Sequence, residues 1–397
     1  MIREVITQVR LFYRECDKPT FFFALAIVNQ VVGFTPGIPS VFFYAIMIGY
    51  SFYCLRKSNS IMWPLGIFIL YIPIGLLVTT PDPIFKSWER YFLFVTLMIS
   101  ASSLLKGKQL TIYRNRIFQI VLFSCAVLGI GSFFCRFIGI NFGASNQSHL
   151  ISVGNFGGLC NHSMLLGPIA GVGAIFMVKL FYQTRKKFYL LMSILCLFSV
   201  IFSASRASLL ASLVGIIVML YKQSGTASKF MQAIVLSVIL GALSFPLWEH
   251  ALDDVLTKQE ANVSEGSMFD SRSQKWMARL EEFEESPVFG VGFVAVNLFN
   301  KQSMHDVDYS TGTVETGSSW LCILSMTGLL GALCLFPVFI NAYWTAWKSK
   351  KVSPVIVGVL TLFYIHMCAE GYVLAGGSFL TFILWLTVGL AYSREHV

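Results

Sequence analysis

The feature that most constrains this chain is the recurrence of apolar runs of about 16 to 25 residues, the length needed to cross a bilayer as a helix. Such runs are satisfied only in hydrocarbon or within a bundle of similar helices, so the expected fold class is all-α, a polytopic helical membrane protein. A closed membrane barrel would show short alternating segments, which the sequence lacks. Hydrophobic residues make up 56% and charged residues 12% of the chain, which excludes an ordinary soluble domain.

Twelve spans are expected, at approximately 20–35, 38–55, 61–79, 90–105, 117–138, 162–181, 187–203, 205–221, 229–247, 317–341, 354–371 and 376–393. With the N-terminus inside, the cytoplasmic segments carry Arg3, Arg10, Arg14 and Lys18, the Arg56/Lys57 pair, and the Lys106–Arg116, Lys179–Lys187, Lys222/Lys229, Lys348–Lys351 and Arg394 groups. These hold 20 of the 29 basic residues. Lys and Arg collect on the cytoplasmic side, so both termini are expected there. The same bias accounts for the net charge of +9 without nucleic acid as a partner. The chain then divides into 1–247 with spans one to nine, 248–316 as one large extracytoplasmic (periplasmic) loop containing short helices, and 317–397 with spans ten to twelve. The N-terminal residues are mixed and charged, with no small-residue cleavage site, so no cleavable signal is expected. Nine cysteines lie singly, mostly in spans and without a Cys-x-x-Cys pair. They read as small hydrophobes in helix packing, not as a disulfide framework or zinc site. No cofactor or metal is expected.

The loop 248–316 holds 13 acids and 5 bases, so its cations stand out. Asp270-Ser271 is a plausible helix start and Ser286-Pro287 a stop. Between them Arg272, Trp276, Arg279 and Phe283 share one face, an amphipathic helix suited to rest on the membrane surface and aim cations at headgroups. Gly290 and Gly292 follow the proline as Gly-x-Gly. Arg206 stands between two apolar spans separated by almost nothing, where an arginine faces a cavity or a partner, or snorkels to the interface. Because guanidinium binds phosphate oxygens bidentately and keeps its charge, Arg206, Arg272, Arg279 and, at the end of span five, Arg136 are candidate anion ligands. The plainer alternatives are glutamate ion pairs for Arg272 and Arg279, and positional anchoring for Arg136. Glu315, at the mouth of span ten, is the candidate general base, with a pKa expected to rise near the low-dielectric boundary. An interfacial carboxylate or helix cap is its alternative. His305 is a second candidate for the proton, or a solvated loop histidine. Asp306-Val-Asp308 has the spacing of a metal-binding Asp-x-Asp, too common to carry weight. Glu370 is an intramembrane acid that fits as the buried partner of a base.

The order of these pieces resembles the O-antigen ligase/polysaccharide polymerase superfamily. The order runs Ser-Arg206-Ala at a span mouth, Arg272-x-x-x-Trp276, Pro287-x-x-Gly290-x-Gly292, and Gly328-Leu-Leu-Gly331 in the following span. The resemblance implies a GT-C-like inner-membrane glycosyltransferase acting on undecaprenyl-diphosphate-linked oligosaccharide outside the cytoplasm, without metal. It implies that Arg206 and Arg272 hold the donor diphosphate, with Arg279 a third cation, and that Trp276, Gly290 and Gly292 position substrate. Ligases place a His-Asn pair just before the span after the loop; here Gly317-Ser318 stand there. That departure favours a polymerase joining lipid-linked repeat units over a ligase transferring glycan to lipid A-core. A transporter or flippase of lipid-linked oligosaccharide is the alternative from another class. The bilayer is a partner in every case, and a chain-length regulator is a further partner left open.

Overall fold

The computed structural model describes residues 17–144, 156–224, 270–299 and 307–393. In chain order the helices are α1 (Lys18–Asn29), α2 (Ser40–Leu55), α3 (Trp63–Thr79), α4 (Ser87–Ala101), α5 (Lys108–Ile138), α6 (Ser163–Thr184), α7 (Lys187–Phe202) and α8 (Arg206–Ser224). They continue as α9 (Asp270–Glu285), α10 (Ser319–Lys348), α11 (Pro354–His366) and α12 (Phe379–Ala391). Two short antiparallel pairs complete the described elements: β1 (Ser60–Ile61) with β2 (Leu105–Lys106), and β3 (Val307–Asp308) with β4 (Thr313–Val314).

Eleven of the twelve expected spans coincide with a helix; the ninth, 229–247, lies outside the described residues. Four helices, α5, α6, α8 and α10, are long and apolar enough to cross a membrane, and six more are apolar but shorter. Among the described residues the structure thus shows a helical membrane protein of long and short apolar helices without establishing twelve full spans, and the reason for the short ones is visible in α11 and α12. Each is 13 residues long, and they are apolar all round because they are buried all round. Trp385, Phe363, Ile356 and Leu384 are completely inaccessible. Small residues let the backbones approach: Gly215 of α8 faces the Gly358 carbonyl of α11, and Gly171 of α6 faces Ser212 and Leu362. Pairing 215 with 358 and 212 with 362 makes α8 and α11 antiparallel, so Arg206 stands at the same end as His366.

The connecting segments sort into two ends, and those expected on one side of the membrane bond to one another. At the end expected in the cytoplasm, β1 pairs with β2, and the Lys222 ammonium donates to the carbonyls of Ala346, Trp347 and Ser349. At the other end, Arg90 Nη2 donates to the Gly312 carbonyl at 2.8 Å, and Gly33 N donates to Leu159 O at 2.8 Å.

Candidate active site

Helix α9 begins and ends where Asp270 and Ser286-Pro287 place it, but it does not rest alone on a membrane surface. It docks on α10, with Ala278, Arg279 and Glu282 buried. The joint is made by the two glycine motifs. Inside α10, Gly328 adopts φ 62° and ψ −170°, a conformation open almost only to glycine, which breaks the helical ladder. The segment after α9 fills the break: Leu329 N donates to Pro287 O and Val291 N to Ser325 O, both at 2.8 Å. Tyr71 of α3 clamps the same place, donating to Thr327 O at 2.7 Å. Gly290 has φ 73°, and a Cβ there would lie 2.5 Å from Ser325 O. Gly292 lies against Thr79 and Pro81. Gly290 and Gly292 thus serve first to seat the loop on the kinked helix.

Seating α9 brings its first turns over the start of α10. Trp276 Nε1 donates to Gly317 O at 3.2 Å. Arg272 Nη2 lies 2.5 Å from Glu370 Oε1, and its Nη1 lies 3.5 Å from Glu315 Oε1. Lys275 Nζ pairs with the same Glu315 oxygen at 2.7 Å. Two cations and two carboxylates thus meet beside the N-terminus of α10. The Glu370 turn is tied to that terminus: Ser319 N and Oγ both donate to Glu370 O, at 3.0 and 2.7 Å.

The environments of the two acids differ. Burial pushes Glu315 upward, but the hydrogen bond from Lys275 and the charges of Lys275 and Arg272 outweigh it and hold the carboxyl below its usual range. The expected upward shift of Glu315 is therefore corrected: its side chain is half exposed and doubly paired. Glu370 is the more buried of the two, with Arg272 as its charged partner. Glu370 is the partner that a sequence reading reaches only in part, since nothing in the order of residues names Arg272 as the base it meets. His366, four residues earlier, belongs to none of the sequence motifs; its Nδ1 contacts the Tyr372 hydroxyl at 3.2 Å, and its buried Nε2 has no hydrogen-bond partner among the described residues. An acid four residues after a histidine at the end of an apolar run is the available signal.

The remaining candidates separate. Arg279, expected as a third diphosphate ligand, is 1% exposed and pairs at 2.9 Å with Glu282, which also accepts from Asn297 N. Buried there, it braces the loop from inside. Arg136 lies over the Phe156 and Phe202 rings at 5.7 and 5.9 Å, an aromatic anchorage at the end of α5. Arg206 is exposed at the first position of α8, four residues beyond Phe202. His305 and Asp306 lie outside the described residues. Ser318, where a ligase places its His-Asn pair, caps α10: its Oγ accepts from Leu321 N. Among the described residues no three His, Cys, Asp or Glu side chains converge as metal ligands. Glu315 and Glu370 converge on a guanidinium instead.

Among curated proteins none matches the chain. Residues 191–336 match the family model described as O-antigen ligase. The matched segment contains Arg206, Arg272, Trp276, Glu315 and both glycine motifs, while Glu370 lies beyond it and joins the site only through folding. The likeness to the O-antigen ligase family therefore rests on these 146 of the chain's 397 residues.

Proposed function

We propose that the protein is a bacterial inner-membrane polysaccharide polymerase. It transfers a glycan from undecaprenyl diphosphate to a sugar hydroxyl of a second lipid-linked repeat unit, on the extracytoplasmic face. The observation that carries this reading is Arg272, held by two carboxylates at the same end of the bundle as Arg206. Guanidiniums fixed before the reaction stabilise the charge that develops on a departing diphosphate, and need no reorganisation to do so. In the reaction the acceptor oxygen bonds to the anomeric carbon while the bond from that carbon to the diphosphate oxygen breaks, with its electron pair leaving on undecaprenyl diphosphate. The hydroxyl proton passes to Glu315, with His305 as the second candidate. One such displacement inverts the anomeric centre. Arg206 and Arg272 are assigned to the diphosphate, and Trp276 to positioning.

The family's description as ligases favours a second reading, transfer to lipid A-core. The helix-capping Ser318 in place of a histidine favours the polymerase. The test mixes purified protein, without added metal or nucleotide, with its lipid-linked repeat unit and follows chain growth on a gel. A ladder lost in Arg206→Ala and Arg272→Ala is expected. Transfer only when lipid A-core is supplied would make the protein a ligase, and no transfer to either acceptor would leave the transporter reading.

A further inference from the structure

A cleft of about 980 Å³ shares a wall with the Arg272 site. Val314 and Thr316 line it, while Glu315 between them is bonded to Lys275. Gly371 and Tyr372 line it as well, and Glu370 immediately precedes them. The opposite wall is Tyr44 and Ile48 of α2 with Phe92 and Val95 of α4. Tyr44, Ile48 and Phe92 are 38–62% exposed. One side of the cleft thus presents apolar side chains outward and the other abuts the cation site.

The polar rim carries Lys86, Glu89 and Arg90. Arg90 is committed to the Thr311 and Gly312 carbonyls. The Lys86 ammonium, at the N-cap of α4, has neither ion pair nor hydrogen bond among the described residues. A second polar group waits deeper in the cleft. Thr316 is 5% exposed, and its Oγ1, beside the weakly bonding Cys322 thiol, finds no oxygen or nitrogen partner. An elongated ligand with an apolar tail, an anionic head and hydroxyl-rich groups beyond it matches this sequence of surfaces.

We propose that this cleft is the acceptor site: it takes a polyprenyl diphosphate carrying sugars, with the isoprenoid chain along α2 and α4, the diphosphate at Lys86, and the sugars along Val314–Thr316 toward Glu315. The inference rests on the polymerase reading, which requires two lipid-linked substrates bound at once. It places the second one apart from the arginines. A bulk anionic phospholipid shares the tail and the phosphate, and lacks the sugars that would use the wall beside Glu315.

The test uses the full-length protein in phosphatidylcholine nanodiscs with undecaprenyl diphosphate bearing a diazirine in its chain. Crosslinks should map to peptides containing Tyr44, Ile48 or Phe92, and half-saturation should rise about tenfold in Lys86→Gln and recover in Lys86→Arg. In transfer assays with a donor whose own acceptor hydroxyl is methylated, Lys86→Gln should raise KM for the acceptor by a similar factor and leave KM for the donor unchanged. Crosslinks that avoid the cleft overturn the inference. So does equal competition by phosphatidylglycerol, or a rise in donor KM instead. If the wild type crosslinks at the cleft but transfers to no lipid-linked acceptor, the polymerase reading falls while the lipid-diphosphate site stands.

Discussion

Replacing Gly328 by alanine tests the joint on which the whole site depends. The new Cβ would meet the Val288 carbonyl and the Gly290 amide, both of them backbone that cannot swing aside. An L-residue held at φ 62°, ψ −170° adds strain of about 1–3 kcal/mol. If the loop retreats instead, the hydrogen bonds from Leu329 N and Val291 N are lost, at about 0.5–1.5 kcal/mol net each. Either way the docking of the segment after α9 weakens by about 1–3 kcal/mol. Arg272 then loses its register against Glu315 and Glu370, and a displacement near 1 Å at a reacting site costs on the order of 10²-fold in rate. Gly290→Ala attacks the same joint from the other side, through Ser325 O and the Met326 carbonyl carbon. Each variant should fall in transfer rate and melt several degrees lower in detergent, and the double variant should cost clearly less than the two single losses combined, because the joint can be broken only once. Gly37→Ala, where a Cβ meets open space, is the control. Additive losses, or a Gly328→Ala protein with wild-type activity, would refute the reasoning.

Further outcomes follow from the ion pairs. A double-mutant cycle with Arg272→Gln and Glu370→Gln, read by thermal unfolding, should give a coupling of about 1–3 kcal/mol; a value near zero would show the pair to be incidental. Because Glu315 is held low, its favourable pairing is fully present above the usual glutamate range and is lost as pH falls through the depressed value. The acid limb of the rate profile should therefore lie below the ordinary glutamate pKa and move upward in Lys275→Met; an unmoved limb would remove Glu315 as the base. Glu282→Ala should destabilise by about 3–5 kcal/mol by stranding a buried guanidinium, whereas Arg279→Met with Glu282→Leu should be much milder; similar losses in both would contradict the bracing role.

Much of this architecture is legible in the residue order. Apolar length located eleven helices, with ends up to nine residues off as at the start of α5, because a helix satisfies its own backbone groups and needs no information from elsewhere in the chain. Proline and cap chemistry likewise bounded α9. The order of Arg272, Trp276 and the two glycine motifs resembles that of a family, and the structure brings these four together at the joint of α9 and α10. What the order of residues could not supply was partnership. Arg272 and Glu370 are 98 positions apart. Arg272 and Arg279 look equivalent on α9, yet one faces the carboxylates and the other is sealed inside with Glu282. The downward shift of Glu315 depends on Lys275 and Arg272 arriving from α9, and the cleft exists only because α2, α4, the 313–316 segment and the 371–378 turn converge. The helices were determined locally, by hydrophobic length and backbone hydrogen bonding. The site was decided by tertiary structure, because charge pairing and burial act through space between segments that the sequence keeps far apart.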